Sequence, residues 1–112
     1  MEIYCKDSWM LTNAVYIAEQ LGITDIPKSV LYIKRLPPQF RQSGLIEYPH
    51  KKDDSKVHLD IYIKYDNERF ITLAHEMVHV RQILTTGICD EIEAGRLEKT
   101  LKTLDKASDL LL

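Results

Sequence analysis

Cysteine is scarce in this chain of 112 residues. Cys5 and Cys89 are the two present. They lie far apart and form no C-x-x-C pair, which excludes a ribbon-type metal site. In a cytosolic chain both would stay reduced. Long apolar runs are also missing, and none approaches the roughly 18 residues of a membrane helix. The stretch Met1 to Asp7 has no positive start followed by an apolar core, so no signal peptide is expected and a cytoplasmic location is. No sign of charge predominates. Lys and Arg number 15 against 17 Asp and Glu, a formal net charge of −2, without the basic patch that direct nucleic-acid binding wants. Repeats and low-complexity segments are absent as well.

What is present suits one domain over residues 1–112. Apolar residues make up 45%, enough for a modest core. Asp7 or Ser8 can cap a first helix running to about Leu21, with Gly22 as its stop. Met10, Ala14, Ile17, Ala18 and Leu21 share one face of it. Val30 to Leu36 reads as a strand, ended by Pro37-Pro38. Phe40 to Tyr48 reads as a weaker strand with a bend at Gly44, and 49–55 as a polar turn. Lys56 to Lys64 is the clearest strand. In it Val57, Leu59, Ile61 and Ile63 alternate with His58, Asp60, Tyr62 and Lys64. Asp66 or Asn67 is the expected cap of a second helix ending near Leu84 to Thr86, before Gly87. Asp90 is the expected cap of a last helix. Its Ile92, Leu97, Leu101, Leu104 and Leu111 face the core, and its Lys99, Lys102, Asp105 and Lys106 face water.

The second helix carries the chemistry. It contains His75-Glu76-Met77-Val78-His79, an H-E-x-x-H pattern, and neither Pro nor Gly occurs from Asn67 to Thr86. Residues four apart lie above one another on a helix face, so both imidazoles can reach one metal ion. Glu76 is one step round, close enough to touch a metal-bound water without being a ligand. Two neutral imidazoles, an acidified water and a carboxylate that takes its proton are what a zinc hydrolase needs. Phe70, Leu73, Ala74, Met77 and Val78 place the motif on a helix packed against a core.

A catalytic zinc takes three protein ligands and keeps a position for water. Of the other histidines, His50 and His58 lie upstream. Downstream, Asp90, Glu91 and Glu93 open the last helix. Glu91 and Glu93 point to different sides of it, so one of them should face the metal. Both also suit the positive end of a helix in their own right. Cys89 reads as a small buried residue, with a ligand role as the alternative.

With Glu91-Ile92-Glu93-Ala94 following Leu73-Ala74-His75-Glu76-Met77-Val78-His79-Val80-Arg81-Gln82, the chain resembles the gluzincin metallopeptidases. It is most similar to their small single-domain bacterial and phage forms, the minigluzincins. The resemblance covers roughly residues 56–98 at motif level, and the rest as topology. It implies an α+β, zincin-like fold: an N-terminal helix, a small antiparallel sheet of about three strands, the H-E-x-x-H helix and a glutamate helix. The family's E-x-x-A pattern implies Glu91 as third ligand and Ala94 packed near the metal helix. Many gluzincins carry an Asp four residues after that Glu to orient a histidine, and Gly95 stands there in this chain. No His or Tyr follows Glu91, so an oxyanion or substrate contact is sought in Arg96, Tyr62 or Tyr65, with His58 as a candidate lining residue.

The sequence therefore leads to a zinc-dependent peptidase in the cytoplasm of a bacterium or phage-infected host. One Zn²⁺ per chain is held by His75, His79 and Glu91, and Glu76 is the general base. The expected partner is a peptide or protein, added as a strand beside the strand at 56–64. The competing reading is a weak or inactive module in which zinc only holds two helices together for binding or regulation.

Overall fold

The chain begins in a strand too short for alternation to announce. In the computed structural model, which describes residues 1–47, 50–51 and 55–111 and the side chains of 1–47 and 55–101, β1 (Glu2–Cys5) pairs in parallel with β2 (Ser29–Arg35). Helix α1 (Ser8–Leu21) crosses between them. Asp7 caps it by accepting the Met10 N–H at 2.8 Å, and Gly22, at φ 70°, closes it in the left-handed region. The α-amino group of Met1 donates to the carbonyls of Thr24 and Ile26 at 2.7 and 3.0 Å, which ties β1 to the turn before β2.

β2 pairs in parallel with β5 (Val57–Ile63). β3 (Gly44–Ile46) and β4 (His50–Lys51) run antiparallel along the other side of β5. The sheet has five strands, in the order β1-β2-β5-β3, with β4 also on β5. The α+β class and the three helices are as expected. The sheet is larger than expected, and two of its pairings are parallel. The reason lies in the connections. α1 is long enough to return the chain to the edge it left, as a parallel pair requires, and the segment between β2 and β5 does the same. Of the polar turn expected over 49–55, His50 and Lys51 form β4 and Ser55 is a bend. Positions 49 and 52–54 lie outside the described residues, as do Tyr48 and the side chains of Lys102, Leu104, Asp105, Lys106 and Leu111.

α1 and α2 cover one face of the sheet, and α3 packs on α2. Leu31 and Ile33 of β2 and Leu59, Ile61 and Ile63 of β5 form one core with Met10, Ala14 and Ile17 of α1. Phe70, Leu73, Ala74 and Met77 from α2 (Arg69–Thr85) join it. Ala94 and Leu101 of α3 (Glu91–Leu111) complete it, whereas Ile92, expected on that side, is exposed because the first turn of α3 faces α2 with Glu91 and Ala94. Each such aliphatic side chain stabilises the fold by about 1.5–3 kcal/mol relative to exposure. The opposite face is polar and aromatic. Tyr32 stacks between Tyr4 and His58, with ring centroids 5.7 and 5.8 Å away, and Lys34 pairs with Asp60 at 3.1 Å. No helix among the described residues is long and apolar enough to cross a membrane.

The α2 cap differs from expectation. The helix begins at Arg69 with Glu68 at its cap position and no side-chain cap. Asp66 instead accepts the Glu68 N–H at 2.9 Å and shapes the turn leading in.

β3 passes close to α2 because Gly44 has no side chain. A Cβ there would stand 2.6 Å from Thr72 Cγ2 and 3.2 Å from Glu76 Cγ. Gly44→Ala is therefore expected to lower stability by about 1–3 kcal/mol, the usual cost of overpacking. Urea unfolding measures this, and unchanged stability would contradict the close approach.

Candidate metal centre

The residues that α2 buries decide which way its histidines point. Phe70, Leu73, Ala74, Met77, Val78 and Val80 are buried, which leaves His75 and His79 directed at the start of α3. That start is held in place by its own chemistry. Asp90 Oδ1 accepts the N–H groups of Ile92 and Glu93 at 2.9 and 3.2 Å, the cap that the sequence led one to expect. At the end of α2 the N–H groups of Thr86 and Gly87 both reach the Gln82 carbonyl at 2.9 Å. The turn between the helices is thus tight, and Glu91 arrives directly over the two imidazoles.

Its carboxylate straddles them. Oε2 lies 2.9 Å from His75 Nε2 and Oε1 lies 2.9 Å from His79 Nε2. The two Nε2 atoms are 3.2 Å apart, and the rings meet edge to face at 81°. His75, His79 and Glu91 each offer a ligand atom, all within 4.8 Å of one another, and could hold a metal ion.

Each ring has a partner on its far side. His75 Nδ1 lies 2.6 Å from Glu98 Oε2, so this ring stands between two carboxylates, Glu98 at Nδ1 and Glu91 at Nε2. His79 Nδ1 lies 2.8 Å from Gln82 Oε1. The orientation of that amide follows from its other partners. The Asp90 N–H points at Oε1 at 2.9 Å, and Gln82 Nε2 gives its protons to the Asp90 carbonyl and to Glu93 Oε1 at 3.0 and 3.1 Å. Neutral His79 therefore turns its Nε2 lone pair inward, whereas His75 has a carboxylate at each ring nitrogen and can present a proton to either. Two imidazole nitrogens and two carboxylate oxygens converge at this point. That donor set fits a metal ion.

The site is buried on its α2 side and open on its α3 side. His79 is 3% exposed and Glu76 7%, whereas the Glu91 side chain is 74% exposed. Burial raises the Glu76 pKa. The nearby His79 and His75 pull it down without cancelling that effect, and Glu91 adds to the rise. Burial lowers the His75 pKa, but its hydrogen bond to Glu98 and the charges of Glu76, Glu98 and Glu91 outweigh it, so the net shift is upward.

Of the residues singled out from sequence, His75, His79 and Glu91 come together, and Glu76 is near enough for its charge to act on the histidines. Glu93 does not join them, because it accepts from Gln82 instead. His58 and Tyr62 point to the sheet face opposite the helices. His58 stacks on Tyr32 there, and Tyr62 lies beneath Lys34. Arg96 is exposed and sits off the α3 stripe formed by Glu91, Ala94 and Glu98. Tyr65 is turned away, under the Arg35 guanidinium. Burial, and after it the neighbouring Cys5 and Asp7, push its pKa up to about 12. None of these four reaches the histidines. Cys89 is exposed rather than buried and stands outside the cluster. Two contributors escaped the sequence reading, Glu98 and Gln82. The signal for each was its helical spacing. Glu98 lies two turns beyond Glu91, and Gln82 one turn beyond His79. Glu98 does for His75 what the resemblance placed at position 95, where Gly95 has no side chain.

Compared with protein-family models, curated proteins and solved structures, the chain finds no match.

Glu98→Gln is expected to lower the His75 pKa in the metal-free protein, because a charge and a charge-assisted hydrogen bond are lost. NMR titration of the ring protons reads this directly, and an unmoved His75 would remove Glu98 from the site. Glu76 gives a second expectation. A carboxyl whose folded pKa is raised favours the folded state in its neutral form. The resulting stability is fully present below the unfolded pKa and is lost as pH rises through the folded one. Glu76→Gln should therefore raise the Tm of the metal-free protein by a few degrees at neutral pH and leave it unchanged near about pH 4. A gain of equal size at both pH values would contradict the burial argument.

Proposed function

We propose that the chain is a zinc-dependent peptidase of the small gluzincin type. The observation that carries this is the convergence of the two Nε2 atoms and the Glu91 carboxylate, with each Nδ1 in contact with a partner of its own. Zinc suits the set by chemistry, since two imidazole nitrogens and a carboxylate are ligands that it takes. Bound there, zinc supplies a Lewis acid for a scissile carbonyl and acidity for a water.

The chain's own residues account for the rest. His75, His79 and Glu91 leave one side of the site open to solvent. Glu76, adjacent and buried, is placed to take a proton from the attacking water and return it to the leaving amine. A carboxyl pKa raised by burial brings this base nearer the working pH. The substrate edge is β3 rather than β5. β5 is paired on both sides, by β2 and by β3 and β4, so the strand addition expected beside residues 56–64 has no free edge there. β3 ends the sheet among the described residues, and its Gly44 lies so near α2 that a Cβ there would stand 3.2 Å from Glu76 Cγ. An extended peptide laid along Gly44–Ile46 would pass directly beside the base.

The test is metal content with a peptide-library assay on the parent and three variants. One zinc per chain is expected in the parent and in Glu76→Gln, and none in His79→Ala or Glu91→Ala. Glu76→Gln should lose about 10²–10⁴-fold in kcat. Zinc bound in a parent that hydrolyses nothing would leave the module in which the metal only joins α2 to α3. Turnover undiminished in Glu76→Gln would overturn the mechanism.

A further inference from the structure

Gln82 is 4% exposed and spends every hydrogen-bonding capacity it has. Its Oε1 accepts from His79 Nδ1 at 2.8 Å and from the Asp90 N–H at 2.9 Å. Its Nε2 donates to the Asp90 carbonyl at 3.0 Å and to Glu93 at 3.1 Å. One end of this set sets a metal-facing ring, and the other three contacts hold the residue that caps α3 and the glutamate two positions past the third ligand. We propose that Gln82 is a positioning residue that couples the His79 tautomer to the docking of α3, so that His79 Nε2 and the Glu91 carboxylate are presented together. The inference rests on the metal site proposed above, and not on the peptidase activity.

The geometry explains why an amide stands there. A carboxylate could accept from His79 and from Asp90 N–H, but it would face the Asp90 carbonyl and Glu93 with no proton to give, and would repel both. A hydroxyl is too short to span from His79 to Glu93. A lysine or arginine has no acceptor, so His79 Nδ1 would have to lose its proton and Nε2 would carry it, facing the other ligands. Glu93, which is not a ligand, thereby has its own place. It is the anionic acceptor that anchors the amide's outer proton. Glu98 serves the other histidine from a separate turn of α3, so the two rings are oriented by independent contacts.

The test reads the tautomer itself. Long-range ¹H–¹⁵N spectra of the metal-free protein, recorded over a pH series, distinguish Nδ1–H from Nε2–H. The parent is expected to show His79 as Nδ1–H. Gln82→Leu is expected to shift His79 toward Nε2–H, leave His75 unchanged, and weaken zinc binding about 10–100-fold in competition with a chromophoric chelator. Gln82→Glu keeps the acceptor at nearly the same shape. It should retain the Nδ1–H tautomer yet still bind zinc more weakly, and Glu93→Gln added to it should restore affinity by returning a donor between the two helices. The pair of glutamate variants keeps the test decisive if Gln82→Leu does not fold. A parent with His79 as Nε2–H overturns the proposal. So does Gln82→Leu with unchanged tautomer and zinc affinity, and so does Gln82→Glu that binds zinc as the parent does or gains nothing from Glu93→Gln. Failure of the peptidase reading alone would leave all of these signals as expected.

Discussion

The docking of the first turn of α3 onto the middle of α2 is the contact on which the rest depends. It brings a carboxylate from one helix over two imidazoles of the other, and it does so across a tight turn. Asp90 caps α3 while its backbone is gripped from α2 by Gln82. The angle of arrival of Glu91 is therefore decided before any ligand is present. The sheet serves this contact from below. Its core face, through Leu59, Ile61 and Ile63, meets the apolar side of α2, and the helix has one orientation in which Phe70, Leu73, Ala74 and Met77 are all covered. That orientation turns His75 and His79 outward to α3.

Much of this was legible in the residues, and the reason is periodicity. The stripe Met10, Ala14, Ile17, Ala18 and Leu21 marked α1, and all five are buried. The alternation from Val57 to Ile63 marked β5 and its faces. The spacing of His75 and His79 placed two imidazoles on one side of a helix, and the Asp90 cap located the start of α3. These signals are local, and local signals are what a chain displays. β1 was not legible because four residues offer too little alternation, and because a strand's partner is set by distant residues. Parallel pairing was hidden for the same cause. It depends on where α1 returns the chain, not on what any strand contains.

The supporting contacts of the site were illegible for a subtler reason. Glu98 and Gln82 are ordinary residues on helix surfaces until the register between α2 and α3 is known. One turn of slip would exchange Glu98 for a neighbour. The resemblance directed attention to position 95, which holds Gly95, and the contact is made one turn further along. His58 and Tyr62 illustrate the converse. Their residue types suited a cleft, but alternation on β5 placed them on the face away from the helices, a conclusion already implicit in the pattern that identified the strand.

The arrangement of acidic groups has a consequence for the fold as a whole. Glu76, Glu91 and Glu98 gather round two imidazoles that are neutral when poised for ligation, on a chain whose formal net charge is only −2. The contacts of His75 with Glu91 and Glu98 raise its pKa, so a proton on that ring strengthens the joint between α2 and α3 in the metal-free chain. A cation held by His75, His79 and Glu91 would take over that proton's part. The attachment of the last helix is thus tied to the pH and ionic contents of its surroundings, while the apolar contacts of α1 and of the buried side of α2 carry no charge that either could change.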